Sequence, residues 1–379
     1  MKTQIPSPLP FLTQLPDLRN PERIDYSQNT LLAIVITALL AAKKNVLDMT
    51  QWLQDNQSIL CQELSIRKRN GQIKVPSQAT IYRFLWHLEQ QLEVLETLLL
   101  KWVKDVLKTL NLGDELIRVN LDGKFLLGTK RKRSGERAYV MLGAFIDTLG
   151  LMLTQITVEH TETQTVKQLL STLKNVFQKD TWIVTMDAGI TEQDLAKRIV
   201  KAGGAYLMQI KKNQFEAFEM MHWIFHYPIA TTGTSFANTE RRSGETWSWS
   251  LQTSNALPEA LQISFPNAVR AIRLERNITL YTGETTQEIA FALTSTDLTA
   301  EQAYEHWRGH WGIENRSHHK RDTVFAEDDC RTRLAGRGLS SLRNLVVSLL
   351  HLAGVNVLRS TRLFSSQPLL ALQFLGLAS

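Results

Sequence analysis

Cysteine is scarce in this chain of 379 residues, which contains only Cys61 and Cys330. Two thiols so far apart have neither the spacing of a metal-ligand set nor that of a disulfide framework, so we expect a reducing, cytoplasmic setting. Long hydrophobic runs are also missing. The longest, LLAIVITALLAA at 31–42, is shorter than the roughly 20 residues that cross a bilayer, and it predicts a buried helix. The N-terminus is interrupted by prolines and lacks a signal-peptide pattern.

Charge of one sign is not in large excess either. Lys and Arg number 43, Asp and Glu number 37, the net charge is +6, and 43% of the residues are hydrophobic. This balance excludes a wholly disordered chain, and it is compatible with a polyanionic partner without requiring one. At roughly 100–200 residues per domain, the length allows two or three domains.

The first 110 residues have the apolar spacing of helices. One helix is expected to begin at Ser77, a favourable N-cap, within VPSQATIYRFLWHLEQ, and a basic stretch precedes it. This order is typical of a helix-turn-helix-like DNA-binding unit, and equally of a small helical bundle with a solvated basic loop. In the first interpretation the residues that contact DNA are Arg67, Lys68, Arg69, Gln78, Tyr82 and Arg83.

From residue 115 the pattern changes to alternating strands and helices. The predicted elements are strands at 115–122, 138–146 and 151–158, a helix at 163–177, a strand at 182–186, a helix at 192–202 and a strand at 206–210. Hairpins join antiparallel strands and crossover helices join parallel ones, so we expect an α/β sheet of mixed direction. Residues 215–295 predict a β-rich insertion, and helices resume at Thr299, the last running from about Leu339 to Leu358.

Three acidic residues occupy informative places in this pattern. Asp122 ends the first strand in NLDGK, Asp187 ends the fourth in VTMDAG, and Glu314 lies in a helix in HWGIEN. Neighbouring strand ends meet at the ligand-binding edge of an open α/β sheet, and three carboxylates there can hold two Mg²⁺ ions for displacement at phosphorus. An Asp at a strand end is also a common turn residue, so spacing alone leaves both interpretations open.

Basic residues accompany these acids. A charge run in a loop is usually only solvated, but beside a carboxylate site it can hold DNA phosphates. His318 and its neighbour His319 would point about 100° apart on a helix, so we expect contact with phosphate or solvent rather than a shared metal. The expected DNA-binding residues here are Lys124, Lys130, Arg131, Lys132, Arg133, Lys212 and His318.

Several segments, in this order, resemble insertion-sequence transposases of the H-repeat-associated (ISAs-type) family, which have a DDE catalytic triad. They are LPDLRNPERIDYS at 15–27, VPSQATIYRFL at 75–85, NLDGK at 120–124, VTMDAGITEQDLAKRIVKAGGAYLMQIKKNQ at 184–214 and HWGIENRSHHKRDTVFAEDDCRTR at 310–333. The resemblance implies an RNase H-like catalytic core with Asp122, Asp187 and Glu314 as catalytic metal ligands. The organisation we expect is an N-terminal all-helical DNA-binding region (1–110), the first part of the core (111–214), a β-rich insertion (215–297) and C-terminal core helices (298–379).

The chain departs from the family pattern around Glu314. Related transposases often have a Tyr and an Arg shortly before the Glu and a basic residue after it, whereas this chain has Trp307, His310 and Arg321 at those places. The more basic helix either tightens DNA contact, with His310 and Arg321 as DNA-binding residues, or marks an inactive copy.

The resemblance implies a DNA transposase that uses Mg²⁺ or Mn²⁺ to hydrolyse phosphodiesters at element ends and to transfer the freed strand into target DNA. Its partners would be double-stranded DNA, as terminal inverted repeats and as target, with a homodimer on the DNA and no membrane. It would act in the cytoplasm, at the nucleoid. The alternatives are an inactive or co-opted transposase that serves as a DNA-binding protein, and an RNase H-fold nuclease without strand transfer.

Overall fold

The computed structural model describes residues 5–66, 70–110, 112, 116–130, 137–227, 233–332 and 334–378. The chain forms two compact units. The first contains residues 1–113, 123–158 and 313–379, and the second contains residues 114–122 and 159–312.

In chain order the helices are α1 (Leu9–Leu12), α2 (Gln28–Leu40), α3 (Val46–Asp55), α4 (Gln57–Glu63), α5 (Gln78–Glu89), α6 (Leu92–Thr109), α7 (Glu162–Val176), α8 (Gln193–Lys201), α9 (Phe215–His226), α10 (Glu259–Ser264), α11 (Ala300–His310), α12 (His319–Phe325), α13 (Gly336–Leu352), α14 (Val357–Ser366) and α15 (Pro368–Phe374). The strands are β1 (Ile117–Leu126), β2 (Tyr139–Ile146), β3 (Leu151–Thr157), β4 (Trp182–Met186), β5 (Ala205–Ile210), β6 (Ser235–Arg242), β7 (Glu245–Ser254), β8 (Arg270–Thr279) and β9 (Thr285–Thr294).

The first unit is mainly helical, as the apolar spacing predicts for the N-terminal region. Nearly every residue of α2 is buried, which confirms the prediction of a core helix at 31–42. Helix α5 begins where Ser77 accepts a hydrogen bond from the backbone N–H of Thr80, and it buries the stripe of Ile81, Phe84, Leu85 and Leu88. Helix α13 is almost entirely buried and packs against α2, α5, α6 and β3.

The C-terminal part of the first unit contains a break that the apolar pattern did not predict. Instead of one helix from Leu339 to Leu358, α13 ends at Leu352 and α14 begins at Val357. Gly354 between them has a φ of +68°, which glycine adopts without steric cost. Among the described residues no single helix has the length and apolar character of a membrane span. Among these residues, only the pair of α13 and α14 together has that length and apolar character, and the chain bends by 106° at the break between the two helices.

The second unit is built on a mixed sheet, which confirms the predicted α/β class. Its strand order is β1-β4-β5-β9-β8-β7-β6. Strands β1, β4 and β5 are parallel, and the pairs from β5 to β6 are antiparallel. The segment predicted as a β-rich insertion contains β6 to β9. These strands extend the same sheet, with β9 paired to β5. Helix α11 packs on this sheet through Ala303, Tyr304 and Trp307.

Strand β1 belongs to both units, because its residues up to Asp122 lie in the second and those from Gly123 lie in the first. Within the first unit it is followed in the sheet by β2 and then by β3. Strands β2 and β3 are antiparallel, with a register shift between Ala144 and Phe145. Strand β1 thus extends four residues beyond Asp122, where the predicted strand ends.

Candidate active site

Two of the three predicted catalytic acids stand side by side in the second unit. Strands β1 and β4 are parallel and in register up to the pair Leu121 and Met186, so Asp122 and Asp187 follow at the next position of each strand. Both are partly exposed. The backbone N–H of Gly189 donates to Asp187 Oδ1 over 2.9 Å, which fixes the orientation of that carboxylate. The arrangement has the form of a ligand-binding strand edge in an open α/β sheet.

A buried polar chain lies behind these aspartates. The hydroxyl of Thr185 donates to Asn120 Oδ1 over 2.8 Å, and His310 Nδ1 lies 3.0 Å from Thr185 Oγ1. Since the Thr185 proton is committed to Asn120, this second contact requires His310 to donate from Nδ1. Asn120 also donates to the backbone oxygen of Gly309 over 2.6 Å. These bonds tie the end of α11 to β1 and β4.

Side chains two positions apart on a strand share a face, so Asn120 and Thr185 lie on the same faces of their strands as Asp122 and Asp187. Alternation along the strand puts Asn120 on the side of Asp122, but nothing in the sequence indicates its bond to Thr185. That bond depends on the register of two strands that are 65 residues apart.

A fourth carboxyl group, Glu162, belongs to the electrostatic environment of the two aspartates. It lies in the first turn of α7. Its pKa is raised above the usual value, first by burial and then by the negative charges of Asp122 and Asp187. The sequence analysis missed Glu162, whose only signal is an acid in the first turn of the helix that follows β3.

The third predicted acid, Glu314, lies in the first unit, in a π-helical turn from Ile313 to His318. Its carboxylate is 53% exposed and its Oε2 lies 3.1 Å from His318 Nδ1. The hydrogen bond from His318 lowers the pKa of Glu314 against the opposing effect of burial, and the charge of Lys124 lowers it further. Glu314 is therefore held ionised at neutral pH.

Three residues that were expected to bind DNA are buried in the first unit. The Lys124 ammonium lies 2.8 Å from Asp322. Arg321 is 1% exposed and pairs with Glu327, which also pairs with Arg343. His318 is 5% exposed and is directed at Glu314. A buried and paired cation has little free surface for a phosphate, so this placement does not support direct DNA contact by Lys124, Arg321 or His318.

The remaining basic and polar candidates divide between exposed residues and residues outside the described part of the chain. Exposed side chains are those of Gln78, Tyr82, Arg83, Lys130 and Lys212. His310 is partly exposed and held by Thr185. The predicted contacts Arg67, Lys68, Arg69, Arg131, Lys132 and Arg133 lie outside the described residues.

Comparison with known families shows to which family the chain belongs. Residues 117–337 match the Transposase DDE domain, and residues 9–103 match the DDE_Tnp_1-associated domain. The chain therefore belongs to the family of DDE transposases.

Individual relatives agree with this assignment. The chain is 23% identical over 361 residues to the H repeat-associated putative transposase YhhI of Escherichia coli K12, covering 89% of this chain and 88% of the relative. It is 23% identical over 358 residues to the putative transposase YncI of E. coli O157:H7, covering 91% and 87%. A solved synaptic complex of piggyBac transposase with hairpin DNA aligns at 11% identity with a TM-score of 0.43, covering 95% of this chain and 75% of that one. A likeness this low carries no argument of its own.

Proposed function

We propose that this protein is a DNA transposase that hydrolyses a phosphodiester at each end of its element and joins the freed 3′-hydroxyl to target DNA. The observation that carries the proposal is the pair Asp122 and Asp187 at the ends of adjacent parallel strands, in a chain of the DDE transposase family. The proposed catalytic core is RNase H-like, with Glu314 as the third acid.

The chain path supports the assignment of Glu314. His310 at the end of α11 is bonded to Thr185, two residues before Asp187. Glu314 follows His310 by four residues, so its Cα lies within about 14 Å of that of His310 even in a fully extended chain. Chain connectivity therefore supports Glu314 as the third acid of the proposed site.

The donor set fits Mg²⁺ or Mn²⁺ and would be formed by Asp122, Asp187 and Glu314. All three are carboxylates, which such hard cations prefer. One carboxylate oxygen of Asp187 takes no part in the hydrogen bond from Gly189. The hydrogen bond from His318 lowers the pKa of Glu314, which is therefore ionised. Bound divalent ions supply electrostatic stabilisation to the attacking and leaving oxygens of an in-line displacement at phosphorus.

The side chains of this protein prepare the site for that role. Gly189 and the Thr185–Asn120 bond orient the strand ends. A side chain at Gly189 would press on Asp187, because a Cβ there would lie 3.2 Å from Asp187 Oδ1. Exposed Lys130 and Lys212 would hold inverted-repeat and target DNA through phosphate contacts. Pairing of two element ends implies a homodimer on the DNA.

The test is cleavage of a plasmid that carries the element, in the presence of Mg²⁺, by the full chain and by Asp187→Asn. We expect the substitution to abolish cleavage, because it removes a charged ligand, while the amide oxygen still accepts the Gly189 bond. Asp180→Asn is the matched control, since Asp180 is exposed and forms only a loose ion pair with Lys179 at 3.7 Å.

Three outcomes separate the possible functions. Cleavage that survives in Asp187→Asn refutes the site. Cleavage by the unaltered chain without joining of a pre-cleaved end to target DNA identifies a nuclease. DNA binding without any cleavage identifies an inactive transposase that serves as a DNA-binding protein.

A further inference from the structure

Helix α5 exposes two large aromatic rings on the side opposite its buried stripe. Tyr82 and Trp86 are 45% and 42% exposed. They are four residues apart, so they stand one above the other on the same helical face. Exposed large aromatics so arranged present a continuous ring surface to a ligand.

These rings form one wall of a cleft of about 780 Å³, and the other wall is formed by Arg331, Thr332, Leu334 and Ala335. Arg83 stands on the helix side, and Arg331 and Leu334 stand opposite. We name this the α5 cleft. Its volume lies within the range of sites that enclose small ligands, roughly 300–1,000 Å³.

The polar groups of the α5 cleft are uncommitted. Within the described residues, the structure gives no hydrogen bond or ion pair to the side chains of Tyr82, Arg83, Trp86 or Arg331. The cation of each arginine is thus available to a ligand. The Trp86 ring meets the ring of His87 edge to face, with 4.9 Å between the centroids, and the exposed parts of the Tyr82 and Trp86 rings are open to a ligand. Two arginines without an ion-pair partner in the described part of the chain favour an anionic ligand.

The combination of stacked rings and free guanidinium groups matches one ligand class closely. Aromatic side chains stack on nucleobases of any sequence, and arginines pair with the phosphates that link them. In a duplex the faces of the bases are covered by their neighbours, whereas unpaired nucleotides expose them. A cleft with ring faces as a wall therefore favours unpaired nucleotides over a duplex.

We propose that the α5 cleft binds unpaired nucleotides of DNA, with Trp86 and Tyr82 as stacking surfaces and Arg83 and Arg331 as phosphate contacts. The inference rests on the proposed function, since cutting and joining of strands at element ends produces unpaired nucleotides. It gives α5 a ligand different from the duplex groove of the helix-turn-helix interpretation.

The test compares the affinity of the full chain for two fluorescent probes: an oligothymidine of about 20 nucleotides, longer than a typical single-strand site, and a duplex of the same length. Trp86→Ala is expected to weaken oligothymidine binding by about 5- to 160-fold, the range for loss of one stacked base. Duplex affinity should change by less than about twofold. Trp86→Phe should restore most of the lost affinity, because it keeps an aromatic face.

The matched control is Trp223→Ala, which removes a tryptophan of similar exposure, 46%, from α9 in the second unit. It should leave both affinities unchanged. Melting temperatures of all variants exclude loss of folding.

Two outcomes overturn the assignment of the α5 cleft. In one, Trp86→Ala leaves oligothymidine binding intact. In the other, it weakens duplex binding equally, which would make α5 a duplex-binding helix. In both, a chain that still cleaves element DNA leaves the proposed function standing, whereas failure of the unaltered chain to bind or cleave any DNA would end both proposals.

Discussion

The surroundings of individual carboxyl groups in this protein shift their pKa values in opposite directions. Glu314 receives a hydrogen bond from His318 and is kept ionised. Glu96 of α6 instead has its pKa raised from 4.5 to about 7, because burial outweighs its hydrogen bonds with Ser341 and Gln155. Glu314 is thus held ionised at neutral pH, whereas Glu96 releases its proton only near pH 7.

Replacement of Glu96 by glutamine should make the first unit less sensitive to pH. The folded chain holds the Glu96 proton between about pH 4.5 and 7, where the unfolded chain has released it, so stability falls as the pH rises through this window. Because a glutamine side chain cannot ionise, the melting temperature of Glu96→Gln relative to the unaltered protein should be higher at pH 8 than at pH 5. Glu93→Gln, an exposed change on the same helix, should show no such trend. An equal difference at both pH values would contradict the expectation.

At the residue scale, the sequence could indicate candidate acids, but it could not show which basic side chains are buried in ion pairs. Asp122 ends an alternating run and Asp187 ends a short apolar run, and both patterns are visible in the sequence. The burial of Arg321 against Glu327 is not visible, because a charge that pairs in the interior and a charge in solvent look alike in a sequence. Glu162 was missed for a related reason, since its proximity to the aspartates depends on the placement of α7.

At the scale of elements, α11 links the sheet of the second unit to the polar chain behind the aspartates. Its apolar residues pack on β4, β5, β7, β8 and β9, and its last residue bonds to Thr185. A capping box begins the helix: Thr299 accepts from the backbone of Gln302 over 3.2 Å, and the Gln302 side chain accepts from the backbone of Thr299 over 3.0 Å. The N-cap at Thr299 and the bond between His310 and Thr185 together fix the two ends of α11.

Thr299→Ala should lower the free energy of unfolding by about 1 kcal/mol, the usual cost of a lost N-cap. The reason is that the backbone N–H of Gln302 would lose its acceptor. Urea unfolding followed by circular dichroism measures the change. Ser171→Ala serves as the control, because Ser171 is exposed in the interior of α7 and donates to the backbone of Gln168 in its own helix. An unchanged midpoint for Thr299→Ala would show that the cap contributes nothing.

Element boundaries were predictable where the hydrophobic period was clear. Strand β4 has the predicted bounds, since five buried apolar or threonine residues are followed by a polar turn. The break between α13 and α14 was not predictable in this way. Apolar residues continue across it at helical spacing, and the positive φ of Gly354 is a tertiary outcome.

For the whole molecule, the net charge of +6 is modest and its distribution decides how DNA is held. Several basic side chains form ion pairs within the protein, among them Lys124, Arg321 and Arg343. The exposed cations that remain, including Lys212, would supply the electrostatic part of the affinity for DNA.

The affinity for a duplex with the element's end sequence should fall steeply as salt rises, because phosphate contacts release counterions. Lys212→Ala should reduce the slope of log affinity against log salt by about one, the contribution of one phosphate contact. Fluorescence anisotropy over a salt series measures it. Lys179→Ala, at a lysine that is 79% exposed and paired with Asp180, should leave the slope unaltered. A slope near zero for the unaltered protein would rule out electrostatic binding of DNA.

The placement of α13 also bears on synthesis of the protein. Residues 336–352 pack against α2, α5 and α6, all from the first third of the chain. A nascent chain that has already released these N-terminal helices from the ribosome still lacks the segment on which they close. Their apolar faces therefore stay uncovered until residues 336–352 have been synthesised, and until then they depend on chaperones or on transient contacts for protection from aggregation.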